Sequence, residues 1–386
     1  MFIPILSCLL LLPLPIFATY QAPYARQAIA PGGKHHHGPS SPPTLTLLDN
    51  SASHATDIPQ IILVVVDPNN NNNNHDSHPV VSTSTSAIRI SNPSILPSLP
   101  EQQPRVKAAA AGEGLITGVT YAPYNGDGTC RTASQVYADF QRMHNHPSGG
   151  KFDLVRIYGV DCDQVASVLP AAHSISVKLF LGIFELDNLG GQVRTLVDAV
   201  RGSGLGWGIV DTISVANELV NNGQASPSQV IGAVRAAREM LRSAGYAGPV
   251  VTVDTFVAVE RHPELCDESD YCAINCHPFF DGYTPADKAG GFVGRKVRDV
   301  KEVLRDQGKR IVVTEAGWPW QGGANNRAVP GREEQRRAVK SIREVWERDW
   351  RGIRGGGGLF LFTAFDDPWK RAEEGTFYAE QFWGME

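Results

Sequence analysis

Eight short, apolar, β-rich runs separated by helical patterns set the tightest limit on what this 386-residue chain can become. The runs fall at 115–124, 152–160, 177–186, 210–219, 249–256, 271–280, 310–319 and 358–367. Between most of them apolar residues recur at three- and four-residue spacing, the period of a helix with one buried face. The clearest case opens with Ser226 and Pro227 as cap and first residue. It carries Val230, Ile231, Val234, Ala237, Met240 and Leu241 on one stripe and stops near Gly245. A second, 332–351, has a stripe of Val339, Ile342, Val345 and Trp346 with Arg and Glu on its other faces. The connection 257–270 lacks a long helical pattern. Strands that alternate with helices pair in parallel through crossovers, and eight such units over ~250 residues make a (β/α)8 barrel. A doubly wound open sheet is the competing arrangement. No G-x-G-x-x-G follows a strand and no G-x-x-x-x-G-K-[ST] occurs, so the nucleotide fingerprints of that class are missing. The expectation is an α/β TIM barrel over 113–386.

The residues before it have another texture. All seven Trp lie beyond residue 112, whereas 15 of the 26 Pro and six of the 11 His lie before residue 113. Residues 1–18, MFIPILSCLLLLPLPIFA, have the length and small-residue ending of a secretory signal peptide, and Pro4, Pro13 and Pro15 argue against a buried helix. Residues 19–112 contain SSPPTLTLL, six consecutive Asn and SNPSILPSLP. With few aromatics and no periodicity, this stretch is expected to be a disordered Ser/Thr/Pro/Asn/His-rich linker. Ser and Thr among Pro suggest O-glycosylation, and no N-x-[ST] acceptor with x other than Pro occurs. His35–His37 read as a solvated low-complexity run rather than a metal site. No later run approaches the ~18 apolar residues of a membrane span. A net charge of −5 excludes a strongly basic nucleic-acid binder. The expectation is a secreted, extracellular or wall-associated monomer.

Cys8 would leave with the signal, and five cysteines remain. In an oxidising compartment Cys130 is expected to pair with Cys162, and one pair to form among Cys266, Cys272 and Cys276, leaving one thiol over. The rival is a metal site at Cys272-x3-Cys276-His277. Period-2 alternation in YCAINCHPFF favours a strand with both cysteines on one face, and no metal is expected.

In a barrel the chemistry stands at the C-terminal ends of the strands. There the sequence places Tyr121 and Tyr124, then Tyr158, then Asn217 and Glu218. Further on come His277, Phe279 and Phe280, then Glu315 and Trp318, then Asp366, Asp367 and Trp369. Carboxylates, amides and aromatic rings without a phosphate loop are the inventory of a carbohydrate site. Rings stack on sugars and paired carboxylates do acid–base work at a glycosidic bond.

At these residues the sequence resembles a known family. ISVANELV around Glu218 is similar to the strand-4 N-E motif of retaining (β/α)8 glycosidases. VVTEAGWPW around Glu315 is similar to the T-E-x-G-W-P motif of family-17 glycoside hydrolases. VRIYGVDC (155–162), NCHPFFDG (275–282) and FDDPWK (365–370) resemble the fungal cell-wall branch of that family, which also carries Ser/Thr/Pro-rich N-terminal extensions. The resemblance covers 114–386 and implies action on β-1,3-glucan, by hydrolysis or transglycosylation, without a cofactor or metal. It implies Glu218 as acid/base, Glu315 as nucleophile and Asn217 as a partner of the sugar 2-hydroxyl. Tyr158, Trp318 and Phe280 are implied as sugar contacts and Lys370 as a polar rim contact; Tyr121, His277 and Asp367 complete the expected substrate-binding set. Three positions depart from the pattern. Ala216 stands for a common Gly, a small-for-small change; His277 stands where plant members have Tyr; and Asp367 stands where Glu is usual, one methylene shorter.

Other residues near strand ends have plainer readings. Asp254 is balanced between a substrate contact and a hydrogen-bonding role in the barrel, and Glu185 reads as a rim charge. Trp320, Trp346 and Trp350 read as packing, and Gly355–Gly358 as a loop leading into a strand. Three alternatives stay open: a wall protein that binds β-glucan with little or no turnover, a β-mannanase, and an exo-acting β-glucosidase.

Overall fold

The computed structural model describes residues 116–145, 152–349 and 357–385; the expected signal peptide, linker and His35–His37 lie outside them. All eight runs are strands: β1 Ile116–Thr120, β2 Leu154–Arg156, β3 Lys178–Ile183, β4 Val210–Asn217, β5 Val250–Thr255, β6 Cys272–Asn275, β7 Ile311–Gly317 and β8 Gly358–Phe362. They pair in parallel, each with the next, and β8 closes on β1 through Ile116↔Gly358 to Val119↔Leu361. The helices are α1 Ala133–Asn145, α2 Gln164–Ser174, α3 Leu189–Gly202, α4 Pro227–Ser243, α5 Phe256–Arg261, α6 Glu264–Asp267, α7 Ala289–Val303 and α8 Arg332–Asp349. The short α5 and α6 fill the β5–β6 connection, where no long helix was expected.

Local chemistry accounts for the boundaries. Ser226 caps α4 by accepting the Gln229 amide while Gln229 accepts the Ser226 amide in return, and Pro227 supplies a preset first turn. The α4 stripe buries Val230, Val234, Ala237 and Leu241; α8 buries Gln335, Ala338, Ile342 and Trp346. The sequence runs overshoot the strands at their C-terminal ends, because there the chain leaves the ladder to form the mouth.

Strand alternation then sorts side chains into two layers. Leu154, Phe180, Val253, Ala273, Val312 and Phe360 belong to one cluster, while their strand neighbours Val155, Leu179, Val250, Cys272, Val313 and Leu359 pack with the helices. Arg156 and Asn275 share the phase of the first set, two residues above Leu154 and Ala273. At Gly182 a Cβ would collide with the Tyr158 carbonyl, so β3 can pass beneath the mouth only as glycine.

One disulfide joins the segments that follow β1 and β2, and the other ties α6 to the start of β6. Cys130 pairs with Cys162, and Cys266 with Cys272, leaving Cys276 as a buried thiol. Cys272 is therefore committed to sulfur and Cys276 faces the helix layer, so the Cys272-x3-Cys276-His277 spacing does not assemble as one ligand set.

After β8, the described residues form only the short turn Glu374–Thr376 rather than a further helix. A groove of about 410 Å³ lies between α1 and α8, lined by Met143, Phe152, Val339 and Phe365 with Arg142 and Arg343. The segment 363–385 instead folds back over the mouth. The Trp320 amide donates to Phe382 O, Asp367 N to Gln381 O, and Gln335 Nε2 to Trp318, Trp383 and Gly384 carbonyls. Among the described residues no helix is long and apolar enough to cross a membrane.

Candidate active site

Three register shifts deliver the two glutamates. Along β7, Val312 and Thr314 have the inward phase, which would turn Glu315 outward. The ladders to β6 and β8 both slip here, between Ile274 and Asn275 and between Val313 and Ala316. Glu315 is thereby re-aimed into the mouth. Along β4 the ladder to β5 slips between Ser214 and Asn217. Ala216 and Glu218 both take positive φ, 70° and 56°. Asn217 and Glu218 then line one cleft with Tyr158, His277, Phe280, Glu315, Phe362, Lys370, Glu380 and Trp383.

Glu315 is buried and surrounded by donors. Its Oε1 accepts from Arg156 Nη1 at 2.8 Å and from the Tyr158 hydroxyl at 2.9 Å; its Oε2 lies 3.0 Å from His277 Nε2. Burial alone would raise its pKa, but the His277 hydrogen bond, the Arg156 charge and the Tyr158 hydroxyl outweigh it and hold the carboxyl well below the usual range. Glu218 is equally buried and has one side-chain donor, Asn275 Nδ2 at 2.7 Å. Burial, then the Glu315 charge, push its pKa up to about 8, with Asp254 adding to the shift. One carboxyl is poised as an anion and its neighbour as an acid, a split that suits two carboxyls to different steps of acid–base work.

A polar lattice beneath them fixes the geometry. Arg156, with 1 % of its surface exposed, also donates to Thr314 O and Asn217 Oδ1. Asn275 accepts from the Thr314 hydroxyl and donates to both Asn217 Oδ1 and Glu218. With its oxygen held by two donors, Asn217 presents its NH2 to the cleft. Around His277, Phe280, Phe362 and Trp383 form an aromatic wall, with the Phe362 and Trp383 ring centroids each 5.0 Å from the imidazole.

The structure gathers Asn217, Glu218, Tyr158, His277, Phe280, Glu315 and Lys370 and separates three others. Tyr121 is buried, its hydroxyl donating to Asp139 at 2.6 Å, so it packs β1 to α1 and offers no face to sugar. Trp318 is fully buried against Phe279, with its indole N–H on Val329 O. Asp367 is also buried and lies behind the cleft, where it holds Lys370 Nζ at 3.2 Å and the Trp369 indole N–H. The shorter side chain thus anchors the lysine instead of reaching sugar.

Asp254 resolves to the hydrogen-bonding role: it accepts three backbone amides, and burial pushes its pKa up to about 6. Glu185 is exposed, Trp346 is buried in α8, and Trp320 lies under the Arg332 guanidinium. Trp350, Gly355 and Gly356 lie outside the described residues. Arg156, Asn275, Phe362, Glu380 and Trp383 were not anticipated. For the first two the signal was present: an arginine and an asparagine at the inward phase of otherwise apolar strands.

Fold and site together define a (β/α)8 glycoside hydrolase with a paired-glutamate centre. The profile of the BtgE/BtgC glycoside hydrolase domain matches residues 118–384, and the chain belongs to that family. It is 41% identical over 278 residues to the cell surface mannoprotein MP65 of Candida albicans, covering 72% of this chain and 68% of that protein. It is 42% identical over 268 residues to the probable family 17 glucosidase SCW10 of Saccharomyces cerevisiae, covering 69% and 64%. In fold it is similar to a glycoside hydrolase family 17 β-1,3-glucanosyltransferase from Rhizomucor miehei. The TM-score is 0.56 at 21% identity, over 70% of this chain and 92% of that one.

Proposed function

We propose that the protein is a retaining enzyme of the cell wall that cleaves β-1,3-glucan by double displacement and passes the glucosyl unit to water or to a second glucan. The observation that carries this reading is the pairing, in one aromatic-walled cleft, of Glu315 held by Arg156, Tyr158 and His277 with Glu218 held by Asn275. Glu315, ionised against Arg156, Tyr158 and His277, attacks the anomeric carbon while Glu218 donates its proton to the departing oxygen. Ester formation removes the Glu315 charge, so the Glu218 pKa falls and its carboxylate can take a proton from the acceptor. The NH2 of Asn217 is placed to bind a hydroxyl of the reacting sugar, and Lys370 with Glu380 supplies the polar side of the cleft.

The names of the relatives support a wall setting and a glucan substrate, and the apolar N-terminal run supports secretion. The test is product analysis by mass spectrometry of reduced laminari-oligosaccharides incubated with wild type and with Glu315→Gln. Shorter products alone identify water as acceptor, and products longer than the substrate identify transfer; either must vanish in Glu315→Gln. Glucan binding without turnover by the wild type would overturn the enzyme reading in favour of a wall-binding protein.

A further inference from the structure

The backbone that presents Glu218 is one that an L-residue does not hold unaided. Left-handed φ at a non-glycine residue is strained and persists only where the surroundings over-determine it. Here two such residues, Ala216 and Glu218, flank Asn217. The restraints come from β5. Val253 O accepts the Glu218 amide at 2.9 Å. The next side chain, Asp254, takes the following turn: Oδ2 accepts the Val220 amide at 3.0 Å, and Oδ1 accepts the Asn221 amide at 3.2 Å and the Thr255 amide at 2.8 Å. Asn221 Oδ1 in turn accepts the Thr255 hydroxyl, and Thr255 caps α5 through the Ala258 amide.

Asp254 is 2 % exposed and, among the described residues, forms no ion pair with a lysine or arginine. A buried carboxylate without a cation is costly, and three main-chain donors are what it receives in return. All three belong either to its own strand end or to the two residues that begin the turn beyond Glu218. We infer that Asp254 is a positioning residue for proton transfer, its carboxylate clamping the 216–221 turn so that the Glu218 carboxyl meets the leaving oxygen. The inference rests on Glu218 being the acid/base.

Leaving-group dependence tests it, since only a poor leaving group needs the proton. The readout is kcat/KM for a reduced laminari-oligosaccharide and for a 2,4-dinitrophenyl β-laminarioligoside, with melting temperature measured in parallel. Asp254→Asn keeps the shape but turns an NH2 toward amides that need an acceptor. It should lower kcat/KM for the oligosaccharide by roughly 10²-fold, within the range general acid catalysis contributes, and that for the dinitrophenyl substrate by less than about 5-fold. Glu218→Ala is the benchmark and should show the same split. If Glu218→Ala loses equally on both substrates, the acid/base assignment itself falls. If Glu218→Ala splits but Asp254→Asn loses equally on both, or on neither, only the positioning role falls. Asp254→Ser, which retains one acceptor, is read the same way should the Asn variant not fold. Failure of both to fold would make Asp254 a folding determinant and overturn the proposal.

Discussion

A buried carboxylate keeps its charge only where donors replace water, and at Glu315 one of the donors is the permanently charged guanidinium of Arg156. Arg156→Met keeps much of the stem's packing but removes the guanidinium from Glu315, Asn217 and Thr314 together. Turnover should fall roughly 10²–10³-fold, the usual loss on removing one preorganised donor. The acid limb of the kcat/KM–pH profile should also move to higher pH, because the anion then forms only at higher pH. An unmoved limb would show that Arg156 acts only through packing. Glu218 bears on stability with the opposite sign. Its folded pKa lies above the ordinary 4.5, at about 8, so the native state binds the extra proton between those values. The stabilisation is whole below about 4.5 and fades as pH rises through about 8. Glu218→Gln cannot titrate and should show a flatter fall of melting temperature from pH 5 to pH 9 than wild type. Parallel curves would place the proton elsewhere.

At the scale of elements, the period of the apolar residues carried nearly all the information. Both helical stripes and all eight strands form where that period put them. The α4 terminus can be tested alone: Ser226→Ala removes one half of a reciprocal cap exchange remote from the cleft, costing about 1 kcal/mol. A loss of about 2–4 °C in melting temperature with kcat unchanged is expected for a domain of this size, and a change in kcat would contradict it. What the period could not supply was the phase at strand ends. Strict alternation carried upward from Val312 points Thr314 inward, and only the slipped ladders bring Glu315 round. A slip is set by neighbouring strands, so no single run encodes it. The same blindness explains Tyr121 and Trp318, which stand at the right height on their strands but turn toward Asp139 and Phe279. Arg156 escaped notice for the converse reason, since a charge inside an apolar run reads as a flaw in the strand until its partners on β4 and β7 are seen.

For the whole molecule, the decisive feature is the path of residues 363–385 after β8. The chain there is used to build the mouth, where it brings Glu380 and Trp383 to the cleft and is held by Gln335 of α8. Eight strand runs could be counted in the sequence, but how the final segment would be used depended on contacts with residues such as Trp320 and Thr120, far from it in sequence or across the barrel seam. Closure is complete within the described residues: β1 pairs with β8, both disulfides lie between Cys130 and Cys272, and the cleft with the lattice beneath it runs from Arg156 to Trp383. A shortened chain of residues 113–386 should therefore match the full chain in melting temperature and in turnover of laminari-oligosaccharides. If it melts several degrees lower, or loses turnover while both disulfides are present by mass spectrometry, then residues before 113 belong to the catalytic unit and the proposed boundary at 112 is wrong.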